Sequence, residues 1–152
     1  NYMEHIAQAG EVLAPMALAS FSLAMTLGRL FGDAARAKFG DRMLMIYCGL
    51  TSVAGMSLSI IFIQPYAVII GFFIVGLGLS VIVPIAYSIA GNTKGLPSSV
   101  GLAMVTTVGY SGFLFGPPII GFFADWQTLR IALLLVVALF VTMTALSVRY
   151  ER

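Results

Sequence analysis

The residues best suited to bind a small molecule are neutral hydroxyl, phenol and amide groups in apolar stretches of the chain. They are Tyr87, Ser88, Asn92, Thr106, Thr107, Tyr110 and Ser111. Such groups hydrogen-bond a hydroxylated or weakly polar molecule without bringing charge into an apolar setting. Each Ser or Thr could instead bond a carbonyl of its own helix. We predict that these residues contact a ligand.

The apolar stretches carry no pair of groups suited to catalysis. A site there would need two carboxylates, or a carboxylate and a histidine, and neither pair is present. The single Cys48 excludes an intrachain disulfide and a Cys-rich metal site. We therefore predict no enzyme activity, no metal site and no cofactor.

Charged residues concentrate in one short segment. It reads Gly28-Arg-Leu-Phe-Gly-Asp33, then Phe39-Gly-Asp-Arg42. Arg29 and Asp33 are four residues apart, so on a helix they share a face and could form an ion pair. We predict that the segment is a loop acting as a conformational latch. The alternative is an ordinary basic loop. The proposed latch residues are Gly28, Arg29, Asp33, Gly40 and Arg42.

Composition indicates the solvent in which these groups must lie. Apolar residues make up 60% of the chain and charged residues only 9%, against about 25% charged residues in soluble domains. We therefore expect an integral membrane protein in a lipid bilayer, with an all-α fold, a polytopic bundle of five spanning helices. A span needs about 20 apolar residues. The predicted spans are residues 12–31, 43–63, 66–90, 100–124 and 131–148.

The basic residues predict the orientation of the spans. Of the 8 Lys and Arg residues, all except Arg130 fall at one end of the spans. Basic loops remain in the cytoplasm. We therefore predict an outside N-terminus and a cytoplasmic C-terminus. The net charge of +2 and the absence of a basic tract with interleaved aromatics predict no nucleic-acid partner.

Small residues and prolines indicate how the helices pack. Ser20, Ala24, Gly28 and Gly32 recur every four residues and form a stripe for close helix packing. Prolines within spans remove a helical hydrogen bond. In membranes, such breaks are tolerated beside other helices or a water-filled cavity. The predicted helix breaks are Pro84, Pro117 and Pro118.

The segment that begins at Gly28 resembles the loop motif of the major facilitator superfamily. Gly28, Asp33 and Gly40 match it, while its basic residues are shifted to Arg36 and Arg42. The third span, with Gly76-Leu-Gly-Leu-Ser-Val-Ile-Val-Pro84, is similar to a tenth helix of this superfamily. The Gly-Pro-rich fourth span resembles an eleventh helix. Taken together, the loop motif and these two spans are weakly similar to the branch of sugar permeases that includes fucose permease.

The resemblance implies a single transmembrane bundle over residues 1–152, equivalent to helices eight to twelve of a 12-helix transporter. The whole protein would then move a small solute by alternating access, as a secondary active transporter in the bacterial inner (plasma) membrane. The missing N-terminal half would be its partner. The alternative is a non-transporting membrane scaffold or accessory subunit that binds partners through its glycine stripes. An intramembrane enzyme is disfavoured by the lack of paired catalytic groups.

Overall fold

The computed structural model describes residues 2–62, 64–126 and 129–149, with side chains described from residue 11 onward except at 124 and 129. Six helices account for the described chain. They are α1 (Tyr2–Phe39), α2 (Asp41–Ile61), α3 (Pro65–Leu79), α4 (Ile82–Gly91), α5 (Ser98–Trp126) and α6 (Leu129–Arg149). Five stretches are long and apolar enough to cross a membrane, and α3 with α4 forms one of them. The predicted all-α fold with five spans is confirmed.

The first helix is longer than predicted. Residues 32–39, expected in a loop, belong to α1. Ala34, Ala35 and Ala37 favour a helix there. Arg36 and Lys38 in the last turn complement the negative end of the helix dipole. The charged segment is therefore the end of a helix, and the connection to α2 is the single residue Gly40. The predicted end of the second span at residue 63 lies outside the described residues.

The third span is interrupted at Ser80 and Val81, between α3 and α4. Pro84 explains the position of this break. Its ring clashes with the carbonyl four residues earlier, which belongs to Ser80, and it offers that carbonyl no N–H. The backbone N–H of Ser80 instead bonds Leu77 in a tighter turn, at 3.4 Å. The break predicted at Pro84 is thus present, one turn before the proline.

The fourth span has no such interruption. Helix α5 continues through Pro117 and Pro118, so the break predicted at these two residues is wrong. The bonds lost there would involve the carbonyls of Phe113 and Leu114, which both lie on exposed surface.

Small residues set the packing of α1 against α3 and against the break that follows α3. The Ser20 hydroxyl donates to the Ile69 carbonyl at 3.1 Å. A Cβ built on Gly76 would lie 3.0 Å from the Cβ of Ala24, and one built on Gly28 would overlap the side chain of Ser80. Helices can approach this closely only where side chains are absent. The predicted stripe is therefore a packing surface.

The remaining helices extend this core. Helix α2 packs antiparallel against α3, with α6 on its other side, and α5 contacts α4 and α6. Leu44, Cys48, Val81 and Ile85 form a buried apolar cluster near the connection at Gly40. The end of the bundle that holds Gly40, the 92–97 connection and Arg149 is called the basic end below.

Candidate functional site

At the basic end, one arginine joins three helices. Arg36 of α1 donates from Nε to Asp41 Oδ1 at 2.5 Å and from Nη2 to Asp41 Oδ2 at 3.0 Å. The same Nη2 lies 2.6 Å from the Ser88 Oγ of α4. A two-pronged contact between guanidinium and carboxylate fixes orientation as well as distance. We call Arg36, Asp41 and Ser88 the Arg36 clasp.

Gly40 gives the Arg36 clasp its shape. Its φ of 78° and ψ of 164° lie in a region essentially restricted to glycine. The chain therefore turns sharply between α1 and α2, which brings Asp41 back towards Arg36. The Asp41 carboxylate also lies in the first turn of α2, where the helix dipole favours negative charge.

The predicted ion pair between Arg29 and Asp33 is not formed. The Arg29 Nη2 lies 3.8 Å from the sulfur of Met25, one turn earlier. Helical side chains lean towards the N-terminus, which carries a long arginine away from residue 33. Arg42, another predicted latch residue, reaches across to α6, where its Nη2 donates to the carbonyl of Val148. The ion pair at this end is formed by Arg36 and Asp41 instead.

A cavity of about 360 Å³ lies between α1 and α4, beside the break in the third span. We call it the charged pocket. It is lined by Arg29, Gly32, Asp33, Arg36, Ser80, Val81, Val83, Pro84, Ile85 and Tyr87. It therefore brings three ionisable side chains of α1 to the interrupted helix. No charged side chain was expected to line a cavity from the sequence.

A second cavity, of about 250 Å³, lies between α4 and α5. We call it the aromatic pocket. It is lined by Tyr87, Thr106, Gly109, Tyr110 and Phe113. The hydroxyls of Tyr87 and Thr106 are 3.2 Å apart, and no atom lies within 4 Å of a Cβ built on Gly109. Three of the predicted ligand contacts, Tyr87, Thr106 and Tyr110, thus share one wall.

The other predicted ligand contacts are engaged elsewhere. Ser88 belongs to the Arg36 clasp, and Asn92 donates to the Ser88 carbonyl at 2.7 Å. Thr107 and Ser111 each bond a carbonyl one turn earlier, at 2.8 Å. This is the alternative that sequence reasoning left open for such residues.

Tyr87 lines both pockets. The charged pocket therefore supplies ionisable groups and the aromatic pocket supplies aromatic rings, and Tyr87 lies between the two. Among the residues whose side chains are described, no three His, Cys, Asp or Glu side chains are grouped to hold a metal ion. The arrangement can hydrogen-bond, pair with charge and stack against a ring.

Sequence reasoning missed Arg36, Asp41 and Ser80. Arg36 and Asp41 are five residues apart, which is not a helical pairing distance. The signal in the sequence is Gly40, because a glycine between two charged, helix-forming segments allows a sharp turn that brings them together. Ser80 could have been found by counting back four residues from Pro84.

These features define a polytopic helical membrane protein with an interrupted span beside two pockets. The profile of the Major Facilitator Superfamily matches residues 2–152. The chain belongs to this family.

Relatives in bacteria give the same assignment. The chain is 40% identical over 132 residues to an uncharacterized MFS-type transporter of Yersinia pestis, covering 87% of this chain and 34% of the relative. It is 34% identical over 151 residues to the membrane protein MosC of Rhizobium meliloti, covering 99% and 37%. It thus spans about a third of the length of these relatives. No solved structure matches it.

Proposed function

We propose that the chain is the C-terminal part of a secondary active transporter, equivalent to helices eight to twelve of twelve. The whole protein would move a small solute across the bilayer by alternating access. The observation that carries the proposal is the break at Ser80 and Val81, because it lies within a span and lines the charged pocket. Discontinuous spans of this kind form solute sites in transporters.

The relatives support the same proposal. One is named as a transporter, and this chain covers only about a third of it, so further helices would complete the bundle. Helix α5 agrees with that arrangement, since no atom of the described structure lies within 4 Å of Cβ atoms built on Gly109, Gly112 or Gly116. We assign this open face to the N-terminal half of the transporter.

The proposed location is the bacterial inner membrane, with the N-terminus outside and the C-terminus cytoplasmic. The relatives come from bacteria. The basic end carries Arg36, Lys38 and Arg149, whereas Arg130 lies at the opposite end. This asymmetry follows the rule that basic residues stay on the cytoplasmic side.

The test is a transport assay on the product of the longest reading frame that encodes residues 1–152. The purified product is reconstituted in vesicles and incubated with a bacterial metabolite extract, and the vesicle contents are analysed by mass spectrometry. We expect saturable accumulation of one compound or a small group of related compounds. The isolated chain of residues 1–152 should show none, because it supplies only part of the solute cavity. Saturable uptake by that isolated chain would contradict the assignment to a transporter part.

The open glycine face of α5 also fits the second candidate function, a non-transporting scaffold. The same vesicles discriminate between the two. A scaffold would accumulate no solute in the vesicles. Its function would appear instead as cross-linking to a partner helix, and Gly112→Leu would abolish that cross-linking.

A further inference from the structure

The aromatic pocket is formed by one face of α5 together with a single ring from α4. Its α5 residues recur at intervals of three and four, so they share a helix face. They are Thr106, Gly109, Tyr110 and Phe113, and α4 adds Tyr87. Among the described residues that line this pocket, three carry aromatic rings and none is charged. The pocket therefore suits an uncharged, largely apolar group.

The contacts of two hydroxyl groups determine which of them can donate a proton to a ligand. The Thr106 Oγ1 donates to the carbonyl of Leu102 at 2.8 Å, and a carbonyl oxygen can only accept a hydrogen bond. Because a threonine hydroxyl has one proton, the 3.2 Å contact between Thr106 and Tyr87 uses the proton of Tyr87. The Tyr87 oxygen then has no proton left for a ligand, so it acts in the pocket as an acceptor.

This direction selects the polar group of the solute. A solute O–H can donate to the Tyr87 oxygen, whereas an ether oxygen at the same place would meet a second acceptor. A polar group that is removed from water without a partner disfavours binding. For the same reason a polyol is a poor fit, because most of its hydroxyl groups would face aromatic rings.

Gly109 leaves room for a ring on the face of α5. No atom of the described structure lies within 4 Å of a Cβ built on Gly109, although Tyr110 and Phe113 on the same face carry large side chains. A flat ring can therefore lie against the backbone at Gly109. There it would meet the neighbouring rings in the offset or edge-to-face arrangements that aromatic groups prefer.

We infer that the solute carries an uncharged aromatic ring with a hydroxyl group, as in a phenol. The ring lies against Gly109, and its hydroxyl donates to the Tyr87 oxygen. Thr106 is a positioning residue, because it acts through the proton of Tyr87. The inference rests on the proposed transport function and gives it a substrate class.

Binding is tested on the purified full-length product in detergent by ligand-observed saturation-transfer NMR, with the signal from empty micelles subtracted. The probe is 4-hydroxyphenylacetamide. Its matched partners are 4-methoxyphenylacetamide, which has an acceptor in place of the donor, and phenylacetamide, which lacks the oxygen. The polyol myo-inositol lacks an aromatic ring.

We expect the hydroxylated probe to bind saturably and about two- to twelvefold more tightly than either aromatic partner, which is the effect of one neutral hydrogen bond. The polyol should bind more weakly than all three. No binding of the hydroxylated probe, equal binding of its partners, or tighter binding of myo-inositol would overturn the inference.

Two variants test the assigned direction of the hydroxyl contacts. Tyr87→Phe should remove the preference, so that the hydroxylated probe binds no better than phenylacetamide. Thr106→Val keeps the shape of the side chain and releases the proton of Tyr87, so binding of the methoxy probe should improve by about two- to twelvefold. Ser111→Ala is the control and should change no affinity, because the Ser111 hydroxyl bonds the Thr107 carbonyl. A Thr106→Val protein with no gain for the methoxy probe would contradict the assignment.

A third variant tests the position of the ring. Gly109→Leu should exclude all three aromatic probes, because its side chain occupies the space assigned to the ring. That side chain meets no atom of the described structure at its Cβ, and the melting temperature shows whether the variant is folded. Undiminished binding by a folded Gly109→Leu protein would overturn the inference. If the variant does not fold, the hydroxyl preference of the Tyr87→Phe protein decides the matter.

The failure of this inference differs from that of the transport function. Binding of the hydroxylated probe that is sensitive to Tyr87→Phe, without any accumulation in vesicles, would leave the site standing and remove the transporter. Saturable accumulation of a solute without an aromatic ring would leave the transporter standing and remove the phenol assignment.

Discussion

Arg36 of α1 and Ser88 of α4 are joined by a hydrogen bond of 2.6 Å between Nη2 and Oγ. The same guanidinium holds Asp41 at the start of α2. Helix α4 is a separate segment beyond the break at Ser80 and Val81. The clasp is therefore a polar tie between this segment and the junction of α1 with α2.

Arg36→Gln should loosen this tie. Hydrogen bonds to charged groups contribute about 1.5–3 kcal/mol, but the Arg36 and Asp41 side chains are 30% and 19% exposed, which weakens their attraction. We expect a loss of about 1 kcal/mol in the free energy of unfolding in mixed micelles. Lys38→Gln removes the same charge two residues away and is the control. Equal losses for the two variants would mean that the clasp contributes only net charge.

The glycines of α3 and α5 should respond in opposite ways to the same substitution. A Cβ on Gly76 would lie 2.5 Å from the Phe21 carbonyl oxygen, while nothing lies within 4 Å of one on Gly112. Gly76→Ala should therefore force α1 and α3 apart and destabilise the isolated chain by about 1–3 kcal/mol. Gly112→Ala should stabilise it by up to about 1 kcal/mol through helix propensity.

Both variants are compared with the parent chain by unfolding in mixed micelles. Gly112→Ala should then be placed in the full-length protein. There a clash with the proposed N-terminal half would reverse the sign of its effect. A stabilising effect in both settings would argue against close packing at Gly112.

The junction at Gly40 should be intolerant of any side chain. No atom lies within 4 Å of a Cβ built there, so the cost arises from the backbone alone. Its φ of 78° with ψ of 164° is a conformation that costs other residues about 1–3 kcal/mol. Gly40→Ala should lower the free energy of unfolding by that amount. Gly109→Ala, in open helix, is the control, and a Gly40→Ala chain as stable as its parent would exclude backbone strain at the junction.

The sequence predicts the spans well because each is apolar over about the thickness of a bilayer. It predicts the ends of the helices less well. The charges of residues 34–38 suggest a loop, but most of these residues are also good helix formers, and the helix continues through them. The Ser80 break follows from Pro84 only once the clash of a proline with the preceding turn is taken into account. Pro117 and Pro118 lie inside α5 without ending it, so the presence of a proline in a span does not by itself predict an interruption.

The pockets could be predicted only in part. Tyr87, Thr106 and Tyr110 were selected by residue type, and helical spacing alone places Thr106 and Tyr110 on one face. Their meeting with Tyr87 depends on how α4 packs against α5. Helical spacing pairs Arg29 with Asp33, because the sequence carries no information on the direction of either side chain. The direction of the Arg29 side chain, towards Met25, depends on the geometry of the folded helix.

The aromatic pocket gives the last prediction. Tyr87→Phe keeps the ring and removes the hydroxyl that lies 3.2 Å from Thr106. If the proposed solute contacts this hydroxyl, the variant loses one neutral hydrogen bond of about 0.5–1.5 kcal/mol. The concentration for half-maximal uptake by the full-length protein should then rise about two- to twelvefold. Ser111→Ala is the matched control, because the Ser111 hydroxyl bonds the carbonyl of Thr107. A larger effect of Ser111→Ala than of Tyr87→Phe would place the solute on another face of α5.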